Sequence, residues 1–171
     1  NKIKLKNLKT MKEYPISGLP EKPKITAMRI SPDGKKISFT IIRTNGTELW
    51  FADIATGKAV RLTEPVLNAA MYGLPYEWLP DSSRILYKSV LKERGELPEK
   101  NPVPKGPVVQ LNEGRKAPVR TFQDMLKSKH DEALFSYYAS SQLMVTDLQG
   151  NHKKIGKPGI IQSFSTSPDG N

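Results

Sequence analysis

An all-β fold built from a repeated four-stranded antiparallel sheet is what this sequence predicts, on three observations. The first is a copied turn. Ile30-Ser31-Pro32-Asp33-Gly34-Lys35-Lys36-Ile37-Ser38-Phe39-Thr40 is echoed by Trp78-Leu79-Pro80-Asp81-Ser82-Ser83-Arg84-Ile85-Leu86-Tyr87-Lys88, and a third copy begins at Phe164-Ser165-Thr166-Ser167-Pro168-Asp169-Gly170. Each reads as strand, tight turn, strand: Pro sets φ, Asp bonds backbone N–H groups two residues on, and Gly tolerates positive φ. The second is a copied strand, Leu49 to Gly57, matched by Leu143 to Gly150, each ending at Asp before a Gly-containing turn and a short last strand (Ala59–Leu62 and His152–Ile155). The third is spacing. Pro32 to Pro80 is 48 residues, and a four-stranded repeat of about 40–50 residues is the mark of a β-propeller blade.

Taken in order, residues 1–24 form a basic N-terminal arm and lead-in, and 25–63 the first blade. In that blade Ile37, Phe39 and Ile41 alternate with Lys36, Ser38 and Thr40, the period of a strand with one buried face. The second blade spans 69–155. Pro80 to Pro168 is 88 residues, 40 more than one repeat. The surplus falls between the second and third strands, at about 91–141. Its first part carries Pro98, Pro102, Pro104, Pro107 and Pro118 and predicts an irregular loop, because Pro removes ladder donors and helix bonds alike. From Thr121 the pattern turns helical: Thr121 and Asp124 look like an N-cap arrangement, and Phe122, Met125 and Leu126 share a face. Asp131 is placed as the cap of a second short turn carrying Leu134, Phe135 and Tyr138. Residues 160–171 are the cut-off start of a third blade. Two blades and one opening strand fall short of the four to eight that close a ring, so open edges and self-association are expected.

Composition narrows the function. There is no Cys, which removes thiol catalysis, disulfide scaffolds and Cys-based zinc sites. No apolar run approaches the ~18 residues of a membrane span. The charge is +10, and half of the excess lies within residues 1–24. No recognition helix, RNP-like pattern or zinc finger accompanies it, so nucleic acid is not the expected partner. The chain begins at Asn1 without Met or an apolar leader, so any secretory signal is expected to have been removed already.

Catalytic candidates are few. No G-x-S-x-G occurs, so the Ser of a strand-to-helix elbow is missing. His130 and His152 read as surface or packing residues, and two His without H-E-x-x-H do not make a zinc site. Asp33, Asp81 and Asp169 follow Pro in equivalent turns and have a local backbone role. Trp50 and Trp78 are expected to pack between blades, and Phe135, Tyr137 and Tyr138 to anchor the insertion. No cofactor or metal is expected.

The blade turns resemble those of the N-terminal propeller of the prolyl oligopeptidase family of serine peptidases. The insertion narrows this: Asn101-Pro102-Val103-Pro104-Lys105-Gly106-Pro107-Val108-Val109-Gln110, Lys116 to Leu126, and Asp131-Glu132-Ala133-Leu134-Phe135 are similar to the glutamyl endopeptidase branch. The resemblance implies a propeller preceding an α/β-hydrolase domain, proteolysis by acyl transfer, and a preference for cleavage after Glu. No catalytic residue falls within this chain, whose own task is then substrate gating. The partners implied are the rest of the propeller, the hydrolase domain and peptide substrates, in a periplasmic or secreted setting. Arg115, Lys116 and Arg120 are the candidates for steering acidic peptides electrostatically. The alternative is a non-enzymatic TolB-like propeller that binds proteins.

Overall fold

The computed structural model describes residues 3–100, 106, 114 and 126–169. The chain divides into two units, Asn1–Arg94 with Ala139–Asn171, and Gly95–Tyr138. Among the described residues the first unit holds ten strands: β1 (Lys4–Lys6), β2 (Glu13–Pro15), β3 (Lys24–Ile30), β4 (Lys36–Arg43), β5 (Gly46–Asp53), β6 (Ala59–Arg61), β7 (Tyr76–Trp78), β8 (Arg84–Val90), β9 (Ser140–Asp147) and β10 (His152–Ile160). β3-β4-β5-β6 form one antiparallel meander, β7-β8-β9-β10 a second, and β1-β2 a two-stranded ribbon. These two four-stranded sheets are propeller blades.

The turns that start each blade work as their residues dictate. In the first, Asp33 accepts from Ser31 Oγ at 2.5 Å and from the Lys35 N–H at 3.0 Å. Those bonds, with Lys36 beside it, hold its carboxyl down at about 2. Asp81 accepts from the N–H groups of Ser83 and Arg84. Gly34 adopts φ +70°, and Ser82, its counterpart, adopts φ +57°. Ser82 also ties the two turns together, its Oγ accepting from the Asp33 N–H at 3.0 Å. Asp53 and Asp147 close the later turns in the same manner, accepting from Thr56 N–H and from Asn151.

β4 departs from the one-faced pattern. Ile37, Phe39 and Ile41 are buried, but so are Ser38 and Thr40. A blade is covered on both faces, and short hydroxyl side chains suit the second one because they find partners there. Thr40 Oγ1 lies 2.8 Å from Thr26 Oγ1, and Ser38 Oγ donates to Tyr76 Oη at 3.1 Å.

Two apolar clusters follow from this. Leu49, Leu62, Leu67, Tyr76, Trp78, Ile85 and Tyr87 join the two sheets, with Ala27, Phe51 and Met144 packed around them. Trp78 thus packs between blades as expected, and its indole N–H is buried without a partner among the described residues. Trp50 does not. It belongs to the other face of the first sheet, with Ile37, Phe39 and Ile41, and this face is covered by Ile3, Leu5, Ile16 and Leu19. The N-terminal arm is therefore packed structure in part. Its lysines alternate with apolar residues, so Leu5 and Tyr14 pair across the ribbon while Lys4 and Lys6 reach Glu13. Beyond it, Ser17 adds to the edge of β6: its N–H donates to Gly57 O at 2.8 Å and its carbonyl accepts from Ala59 N at 2.9 Å. This face of the first sheet and its β6 edge are therefore covered. The packing of this basic arm escapes a sequence reading because a Lys-rich ribbon with single apolar residues between charges gives a weak local signal.

The described helix is α1 (Lys129–Ala139), which lies in the second unit except for its last residue. Its cap is Ser128, whose Oγ accepts from the Asp131 N–H at 3.2 Å. Asp131 sits inside the first turn and accepts from the Lys127 N–H at 2.9 Å, which corrects the placement of Asp131 as the cap. The two residues act reciprocally, as Ser and an acidic residue three positions on commonly do. His130 lies in the same helix, with Nδ1 buried and without a hydrogen-bond partner among the described residues. Phe135 and Tyr138 are exposed, and Tyr138 stands edge-on to Tyr137 with ring centres 5.1 Å apart. The helix proposed from Thr121 lies outside the described residues, apart from Leu126.

Candidate functional site

The first strands of the two blades, β3 and β7, line one groove of about 580 Å³ with Phe164 of the third repeat. All three contributions precede a Pro-Asp turn. Equivalent strands of successive repeats converge only toward the axis of a ring, so this groove marks the channel side of the blades.

Its shape is set by a bulge. The register of β3 on β4 shifts between Thr26 and Arg29, and Ala27 there has φ +49°. An extra residue in one strand bends it and re-aims the side chains that follow. Here it delivers Arg29 and Ile30 to the groove. The bulge is pinned from the next blade: Tyr76 Oη donates to Ala27 O and accepts from Ser38 Oγ. Burial pushes the Tyr76 hydroxyl up to about 12, so it remains a donor throughout the physiological range. Tyr76→Phe leaves two polar partners buried without it, and we expect it to cost about 1–2 kcal/mol in chemical unfolding. A cost near zero would show that the bulge does not depend on this hydroxyl.

The groove carries both charges. Arg29 is exposed, and no carboxylate lies within salt-bridge distance of it among the described residues. Glu77, half-buried, holds the equivalent place in the second blade, three residues before the turn proline. Tyr87 is buried on the inter-blade face of β8, where its hydroxyl, pushed up to about 12 by desolvation, lies 3.2 Å from His152 Nδ1. His152 starts β10 and is otherwise exposed, so it is a packing residue at a strand edge. Among the described residues no group of three or more His, Asp or Glu stands together.

Arg115, Lys116 and Arg120 lie outside the described residues, so the structure places none of them. Arg29 was missed by sequence reasoning because nothing local marks it. Its only signal is the repeat alignment, which puts it opposite Glu77 on the strand preceding each turn.

The architecture defines a segment of a β-propeller, two blades and the start of a third repeat. No family model matches the chain. It is 39% identical over 166 residues to a probable glutamyl endopeptidase, chloroplastic, of Arabidopsis thaliana, a match covering 92% of this chain and 17% of that protein. It is 38% identical over 167 residues to the protein of the same name from Oryza sativa subsp. japonica, covering 92% of this chain and 18% of the relative. The chain therefore spans less than a fifth of the length of these relatives. Among solved structures it is similar to TolB from Acinetobacter baumannii, with a TM-score of 0.50, 12% identity, and coverage of 99% of this chain and 30% of that one; that likeness is one of fold. Along nearly its whole length the chain is thus a homologue of part of proteins named probable glutamyl endopeptidase, the branch that the insertion resembles. No helix among the described residues is long and apolar enough to cross a membrane.

Proposed function

We propose that this chain is the opening part of the propeller of a serine-type peptidase, where it gates the access of peptides to an α/β-hydrolase domain carried elsewhere on the parent polypeptide. The observation that supports the reading is the sequence identity to glutamyl endopeptidases across almost the whole chain. The groove on the channel side is consistent with it, since a gating element needs polar and apolar groups facing the passage. The catalytic Ser, Asp and His belong to the hydrolase domain, and the chain contributes filtering rather than bond cleavage. A periplasmic or secreted location is part of the proposal.

Steering of acidic peptides is assigned to Arg115, Lys116 and Arg120. Exposed cations raise the encounter rate with anionic ligands, and salt screens the effect over a Debye length of about 10 Å at 0.1 M. The test uses the full-length protein. Changing all three residues to Gln is expected to lower kcat/KM for Glu-containing peptides severalfold at low ionic strength, with the gap closing as salt rises. Equal rates for both proteins at every salt concentration would remove the assignment. If the full-length protein cleaves no peptide and carries no G-x-S-x-G downstream, the gating reading fails and a protein-binding propeller replaces it.

A further inference from the structure

The second blade has two different faces. The register sets Ile85 opposite Thr146 and Tyr87 opposite Met144 on the face that meets the first blade. The other face carries Leu86 opposite Val145 and Lys88 opposite Leu143, followed by Val90. Leu86, Val90, Leu143 and Val145 are half-buried there, an apolar strip without a sheet against it among the described residues.

In the middle of that strip Lys88 is 1% exposed. Its Nζ donates to two backbone carbonyls, Ile161 O at 3.4 Å and Gln162 O at 3.5 Å. No carboxylate lies within 4 Å of it among the described residues. Two long bonds to neutral acceptors compensate a buried ammonium poorly, and lysines this deep are seldom found without a charged partner. Desolvation accordingly lowers the Lys88 amine from its usual range.

The carbonyls it holds lead into the third copy of the repeat. There Ser167 Oγ donates to Asp169 at 2.6 Å, as Ser31 Oγ does to Asp33 at 2.5 Å. The segment that crosses Lys88 is thus the entry to a further blade, and relatives several times longer than this chain have sequence enough to build one.

We infer that this face is the seat of the next blade of the parent polypeptide, and that Lys88 is a buried socket for an Asp or Glu side chain of that blade. The inference rests on the propeller reading above. Lys88 fixes the position of the incoming sheet, since a buried charge pair forms in one register only.

The test is a structure of the full-length protein together with thermal unfolding of its Lys88→Met variant. The expected result is a blade packed on Leu86, Lys88, Leu143 and Val145, with an Asp or Glu from beyond residue 171 within hydrogen-bond distance of Lys88 Nζ. Lys88→Met is then expected to lower Tm by several degrees, because it strands a buried carboxylate, and changing that acid to Leu as well is expected to recover much of the loss. The double variant also covers the case in which Lys88→Met alone does not fold. A blade seated there with no carboxylate near Lys88, or a Tm unchanged or raised in Lys88→Met, would overturn the socket and leave the propeller intact. A face covered by anything other than a blade would overturn both.

Discussion

Glu48→Ala is expected to cost about 3–5 kcal/mol in chemical unfolding of this chain, the range for removing one member of a buried charge pair. Glu48 is 3% exposed on the outer face of the first blade. Its Oε2 accepts from Arg43 Nε at 2.8 Å and from Trp50 Nε1 at 2.8 Å, and its Oε1 from Arg61 Nη1 at 3.5 Å. Alanine removes all three acceptor contacts. The indole N–H is left buried beside Ile41 and Phe39, and Arg43 loses its counter-charge, whereas Arg61 keeps Glu64 at 2.7 Å. Both arginines keep part of their surface in water, which places the result nearer the lower end of the range. Glu48→Gln keeps an oxygen for Trp50 and is expected to cost roughly half as much. A cost below about 1 kcal/mol for Glu48→Ala would mean that water screens the cluster as it does exposed pairs.

Gly46→Ala is expected to destabilise by about 3 kcal/mol, at the upper end of the usual range for overpacking. A Cβ on Gly46 would stand 2.2 Å from Pro65 O and 3.1 Å from Pro65 C. Both atoms are backbone, so no side chain can swing aside. Pro65 belongs to the connection between the blades, whose Leu67 N–H donates to Thr47 O at 3.0 Å and whose Val66 carbonyl accepts from the Val90 N–H at 2.8 Å. Pushing that connection outward breaks bonds to both sheets. Gly34→Ala is the control. Gly34 has φ +70° with nothing within 4 Å of an added Cβ, so only the conformational cost of about 1–2 kcal/mol remains. Equal losses in the two variants would show that backbone strain, rather than the clash, sets the cost at Gly46.

The blade pattern was legible because its signals are local and strong. Alternation in Ile37-Phe39-Ile41 marks β4, the Pro-Asp turns mark where each meander starts, and copying of both across the chain marks the repeat. What escaped depends on partners distant in sequence. Ser38 and Thr40 are polar, and only the neighbouring blade's Tyr76 and the facing Thr26 make their burial favourable. Trp50 is an apolar residue in a strand whichever cover it has; that the cover is the N-terminal ribbon follows from the tertiary arrangement alone. Lys88 looks like any outward lysine in a strand, and nothing adjacent to it records that residues 161 and 162 pass over its amine. The candidate site was less legible than the fold for the same reason. The positions chosen for steering rest on the charge of the insertion, whereas Arg29 reaches the groove through a bulge that no residue of β3 announces.

The ribbon and the Ser17 edge bridge have a consequence for the order in which the first sheet and its cover are made. Both come from residues that precede β3 in the chain, and they pack on the Trp50 face and on the edge of β6. The cover is therefore synthesised before the sheet it shields, so the apolar side of that sheet meets a partner from its own chain as soon as its strands are made.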